Sequence, residues 1–125
     1  MVFSENKPIY LQITDKIMDA IVAGEYPADE RLPSVREYAA NVEVNANTVM
    51  RSYDWLQQQG IIYNRRGIGF FVMPNAVSDI VKMRRKIFFK DEAEYFFRRI
   101  ASFGITPEEL SDLYRDHLLG KPTEK

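Results

Sequence analysis

The sequence predicts an α+β, mainly α fold in two parts. A three-helix domain closed by a β-hairpin fills residues 1–75, and a two-helix tail fills residues 76–125. Three observations predict it. Apolar residues recur at helical spacing in 8–23 and 46–59. Two β-prone runs, Ile61-Ile62-Tyr63 and Phe70-Phe71-Val72, flank Asn64-Arg65-Arg66-Gly67-Ile68-Gly69. Capping signatures at Ser34/Glu37 and Thr106/Glu109 mark two helix starts.

The first helix spans residues 8–23. Pro8 suits its first position, where its missing N–H costs nothing. Ile9, Ile13, Ile17, Ala20 and Ile21 make one apolar face, and Gly24 stops the helix. A loop with two prolines runs from Glu25 to Pro33. The Ser34 hydroxyl then opens a short helix, 35–41, that turns Val35, Tyr38 and Ala39 inward. Residues 41–44 form a tight turn. Asn45 caps the third helix, 46–59, whose inner face carries Val49, Tyr53 and Leu56 and whose stop is Gly60. Asn47, Thr48, Arg51, Trp55 and Gln58 fall largely on other faces. The hairpin follows, with two arginines at its tip. In the tail, Ser78 caps a helix from Asp79 to about Ser102, with a bend near Lys90 to Glu92. Gly104 ends it. Thr106-Pro107-Glu108-Glu109 opens a last helix to about Leu119.

Helix, short helix, helix, hairpin is the order of a winged helix-turn-helix. In that arrangement the third helix enters the DNA major groove, with its N-terminal residues toward base edges. The basic hairpin follows the backbone or enters the minor groove.

Composition bounds the alternatives. With no cysteine there is no disulfide framework, Cys-ligated zinc site or cysteine nucleophile. The single histidine, His117, reads as a cation near a helix C-terminus. No nucleophile elbow, P-loop or dinucleotide fingerprint is present, so neither an enzyme nor a cofactor is expected. No apolar run approaches a transmembrane helix, and the N-terminus lacks the pattern of a signal peptide. The expectation is a cytoplasmic protein that does not meet the membrane.

Residues 8–72 resemble the DNA-binding domain of the GntR family of bacterial transcription regulators. The resemblance rests on five pieces in order: residues 8–13, residues 32–39, residues 45–53, Leu56 with Gly60, and residues 65–72. The roughly 50 residues beyond the wing are too few for the large sensor domains common in the family. With the run Phe103 to Leu110, they resemble the two-helix dimerisation tail of the small YtrA-type subfamily. This chain differs from the family pattern at Ala46 and Met50, where many members carry arginine. It also differs at Asp29, where glycine is usual, and at Phe70, where the wing usually has threonine.

The resemblance implies a sequence-specific transcriptional regulator, a repressor that binds double-stranded DNA at an inverted-repeat operator as a homodimer. It singles out no small-molecule effector. The alternative is a winged-helix protein-interaction module without specific DNA binding. The DNA-binding candidates are Arg36, Asn47, Thr48, Arg51, Arg65, Arg66 and Gly67. Free N–H groups at Asn47 and Thr48 would suit phosphate, and asparagine can pair with adenine. Arg51 can read guanine or hold phosphate. Arg65 and Arg66, being adjacent, can point to opposite sides of the hairpin.

Charge sharpens the site. Residues 1–75 hold seven basic and nine acidic groups, so DNA must be met by a focused patch: Arg36, Arg51, Arg65 and Arg66, with Lys7 as a further member. The tail crowds Phe88, Phe89, Tyr95, Phe96, Phe97, Phe103 and Tyr114 onto two helices, more aromatic surface than they can bury on each other. Of these, Phe88, Phe89, Phe96, Phe97 and Phe103 are the dimerisation candidates.

Overall fold

A computed structural model describes residues 7–123. Its elements are α1 (Ile9–Val22), α2 (Val35–Val42), α3 (Ala46–Gln58), β1 (Ile62–Arg65), β2 (Gly69–Val72), α4 (Ala76–Ile87), α5 (Ala93–Ser102) and α6 (Pro107–Leu118). A π-helical turn, Phe88–Glu92, joins α4 to α5. The chain divides into two compact units, the first ending at Met83 and the second beginning at Arg84.

The first unit has a continuous apolar core. Ile13, Ile17 and Ile21 of α1 meet Val49, Tyr53 and Leu56 of α3, and Ile61, Ile62 and Val72 close the core from the hairpin. Ile9 does not join them; it is exposed, and Met18 with the partly polar Thr14 fills the buried side of α1 instead. The Thr14 hydroxyl donates to the Leu11 carbonyl at 2.7 Å, which satisfies it where it is buried. Pro8 stands just before the first helical residue as its N-cap.

The capping box forms as the sequence predicts. The Glu37 N–H donates to Ser34 Oγ at 3.1 Å, and the Ser34 N–H donates to Glu37 Oε1 at 2.8 Å. α2 runs through Val42, and the turn to α3 is made by Glu43 in a left-handed conformation, φ 57°. Asp29 is also left-handed, φ 63°, in keeping with the tolerance of aspartate for that region.

The hairpin is antiparallel, with Ile62 opposite Val72 and Arg65 opposite Gly69. It gains a third edge. Asp29 donates to Val72 O, Val72 donates to Glu30 O, and Leu32 donates to Phe70 O. The loop before α2 therefore pairs with β2 and fixes the base of the wing. Ala76 and Ile80 of α4 are buried in this same core. That packing starts α4 three residues before Asp79 and puts Ser78 inside the helix rather than at its cap.

In the second unit, α5 ends near Gly104, and Thr106 Oγ1 accepts from the Glu109 N–H at 3.1 Å to start α6. The bend expected near Lys90 to Glu92 is the π-helical turn, in which one extra residue is accommodated in the helical path. Among the described residues of this unit only Ala93 is buried.

Candidate nucleic-acid interface

The candidate interface is built on α3. Burial of Val49, Ser52, Tyr53 and Leu56 turns Ala46, Asn47, Met50, Arg51 and Asp54 to solvent. Two polar anchors fix the helix behind that face. Ser52 Oγ donates to the Tyr10 carbonyl of α1 at 2.7 Å, and Tyr53 Oη donates to the Pro33 carbonyl at 2.6 Å. Burial pushes the Tyr53 hydroxyl well above the usual tyrosine range, so it remains a donor at any physiological pH. Its ring meets Phe70 edge-on, centroids 5.2 Å apart. Phe70, which stands at the family's threonine position, thus ties the wing to α3.

Arg51 is exposed, with its guanidinium carbon 4.0 Å from the centre of the Tyr10 ring. Stacking on an aromatic face limits its rotamers while leaving its N–H groups for a partner. Asn47 is exposed and Thr48 half-buried in the first turn. Their backbone amides do not present free donors. The Asn47 N–H is taken by Asn45 Oδ1 at 2.7 Å, and the Thr48 N–H donates to the Asn45 carbonyl at 3.0 Å. Asn45, in capping the helix, occupies the donors that a phosphate would use there. Any contribution from Asn47 and Thr48 must therefore come from their side chains.

Arg36 is exposed at the second position of α2, one residue inside the capping box. The wing arginines stand in different settings. Arg65, the last residue of β1, lies 5.3 Å from the centre of the Phe71 ring, and that ring stacks on Tyr63. Arg66 sits in the exposed turn. Gly67 is there for geometry: the turn closes with Ile68 N–H on Arg65 O at 2.8 Å and holds Gly67 at φ 78°. Lys7, a further member of the expected patch, pairs with Asp15 at 2.7 Å, which offsets its charge locally.

Sequence reasoning passed over Arg31. It forms a bridge with Phe71, and its side chain lies across Gly69, where an added Cβ would fall 2.8 Å from Nε. Gly69 has φ 147°, so the close approach and the backbone both call for glycine. Hydrogen bonds from the Ser34 backbone and side chain hold the Glu37 carboxyl below the usual glutamate value, and the Arg31 charge adds to this. The available signal was a basic residue immediately before Leu32-Pro33-Ser34. Its use depends on the loop pairing with β2, which no local pattern announces.

The tail candidates Phe88, Phe89, Phe96, Phe97 and Phe103 are all exposed in the single chain. Phe88 and Phe89 meet each other at 5.4 Å, Phe96 and Phe97 at 5.5 Å. The Arg99 guanidinium carbon lies 5.5 Å from the Tyr95 ring centre and 5.4 Å from that of Phe103. Among the described residues no helix is long and apolar enough to cross a membrane, and no group of three His, Cys, Asp or Glu is placed to hold a metal ion.

Comparison with known proteins fits this geometry. Residues 9–72 match the family described as bacterial regulatory proteins, gntR family. The chain is 38% identical over 108 residues to the uncharacterized HTH-type transcriptional regulator YhcF of Bacillus subtilis, covering 86% of this chain and 88% of that protein. It is 37% identical over 75 residues to the HTH-type transcriptional repressor YtrA of the same organism, covering 60% of this chain and 58% of that relative. The crystal structure of a GntR-family regulator from Bacteroides thetaiotaomicron is similar with TM-score 0.75 at 48% identity, over 90% of this chain and 97% of that one. The AraR DNA-binding domain, solved in complex with operator ORX1, is similar with TM-score 0.53 at 27% identity, over 57% of this chain and 86% of that one. The matches to YhcF and the Bacteroides protein take in tail as well as wing, in keeping with a small YtrA-type regulator. The chain belongs to the GntR family: it is a winged helix-turn-helix transcriptional regulator with a DNA-binding domain, and not an enzyme.

Proposed function

We propose that this regulator binds an inverted-repeat operator as a homodimer and represses transcription by occupying the promoter, in the cytoplasm. The DNA contacts fall to Arg36, Arg51, Arg65 and Arg66, with Asn47 and Thr48 acting through their side chains, Gly67 shaping the wing tip, and Arg31 supporting the wing from behind. The operator complex of the similar AraR domain and the name of the YtrA repressor support this reading.

The observation that carries the two-fold part is the exposed aromatic surface of the second unit, which a single chain leaves in water. A two-fold pair formed through Phe88, Phe89, Phe96, Phe97 and Phe103 sets two α3 helices on one duplex. Their half-sites are then one DNA turn, about 34 Å, or a multiple apart. Selecting fragments from a random DNA pool with the purified chain tests the claim; the expected product is an inverted repeat with that spacing.

Arg51→Ala should weaken operator binding by roughly 10- to 100-fold, as loss of a groove-facing arginine does. With few basic groups in the patch, the salt slope should be shallow but measurable. A rival reading as a protein-interaction module predicts that Arg51→Ala abolishes a protein partner and leaves specific DNA binding intact.

A further inference from the structure

The solvent face of α3 is not uniformly polar. Ala46 and Met50 stand at i and i+4, neighbours along one edge of that face. Both are exposed, Met50 by 36% of its surface. Arg51, the cation of this helix, is held over Tyr10 of α1. One turn beyond Met50 the exposed residue is Asp54, an acceptor-only group that repels phosphate. The Ala46–Met50 edge therefore offers DNA no charge for its backbone, only apolar surface for its bases.

The major groove displays one apolar feature, the 5-methyl group of thymine. Methionine, unbranched and polarisable, adapts to such a contact. We propose that Met50, backed by the Ala46 methyl, reads a thymine in each operator half-site. Cytosine at that position would set its N4 amino group against a thioether, leaving a donor poorly satisfied. The proposal rests on the operator-binding reading and adds a base identity to it.

The test uses the full chain and the operator obtained by selection. Each thymine of a half-site is replaced in turn by deoxyuridine, which removes the methyl group and nothing else. At one position the substitution should weaken wild-type binding about fourfold per half-site, the worth of one buried methyl group. Met50→Ala, at an exposed helical position that alanine suits, should bind the thymine and deoxyuridine operators equally. Circular dichroism of the variant checks that it is folded. Specific binding that is indifferent to deoxyuridine at every thymine would overturn the assignment. So would a deoxyuridine penalty that survives Met50→Ala at the same position. A chain that selects no sequence at all would overturn the operator reading, and this inference with it.

Discussion

Residues 7–83 and residues 84–123 use their apolar side chains in opposite ways. In the first unit Val49, Tyr53, Leu56 and Ile80 are fully shielded, and α1, α2, α3 and the hairpin share one core. In the second, Phe103, Tyr114, Leu118 and Leu119 each keep more than 60% of their surface in water, and α6 has no buried residue. Both units contain helices with aromatic and aliphatic faces, so composition does not separate them. The difference is whether another element of the same unit covers those faces. The first unit closes one shared core, while the second leaves its large aromatics exposed, the surface that the proposed pairing would use.

Paired substitutions can break this comparison. Leu56→Ala should cost about 2–5 kcal/mol, since it opens a cavity in a closed core. The loss should appear in denaturant unfolding and be the same at every protein concentration. Phe97→Ala should act on association instead. A truncated interface anchor typically costs 2 kcal/mol or more, about thirtyfold in the dimer constant, read by sedimentation equilibrium. If Phe97→Ala lowered stability in a concentration-independent way, the aromatic surface would be serving the fold of a single chain, and the contrast would fail.

The next effect lies at the wing. Gly69→Ala forces a side chain onto φ 147° and toward Arg31 Nε. The Arg31 side chain can swing aside, so the lasting cost is the backbone, on the order of 1–3 kcal/mol. Displacing Arg31 should also loosen the wing relative to α2, so operator affinity should fall further than stability alone explains. Arg31→Ala separates the two: alone it should carry the extra affinity loss, and adding Gly69→Ala to it should cost the backbone stability with little further loss of affinity.

The same contrast governs what the sequence made legible. The order of helices, the Ser34/Glu37 box, the Asn45 cap and the inner face of α3 depend on residues near one another in the chain, and each stands where local pattern places it. What escaped depends on distant partners. α4 begins at Ala76 because Ala76 and Ile80 are buried in a core assembled from residues far earlier in the chain. Arg31 matters because its loop pairs with β2. The amides of Asn47 and Thr48 look free by position, yet Asn45 claims both. The π-helical turn has no cue beyond the bend that Lys90 to Glu92 suggests. Of the candidate site, the identity of the exposed arginines was legible and their aromatic supports, Tyr10 and Phe71, were not.

The smallest expected effects sharpen the comparison most, because each unit holds a hydroxyl cap that accepts from a glutamate amide three residues on. Ser34 accepts from Glu37 N–H, and Thr106 accepts from Glu109 N–H, both at 3.1 Å. Either alanine substitution should cost about 1 kcal/mol at the helix it caps. Ser34→Ala should lower global unfolding stability, because Tyr38 and Ala39 of α2 are locked into the common core. Thr106→Ala should instead fray α6 locally. That change should raise amide exchange in α6 about fivefold for 1 kcal/mol and leave the unfolding of the first unit where it was. Glu37 adds a pH signature to the first cap. Ser34 hydrogen bonds, helped by Arg31, hold its carboxyl below the usual glutamate value. A depressed folded value means the contribution is complete above the ordinary glutamate range and lost as pH falls through the lowered value. Glu37→Gln, which keeps the acceptor and removes the charge, should therefore differ from wild type at neutral pH and converge with it in acid. Parallel stability curves down to pH 3 would mean that the carboxylate charge adds nothing to the cap.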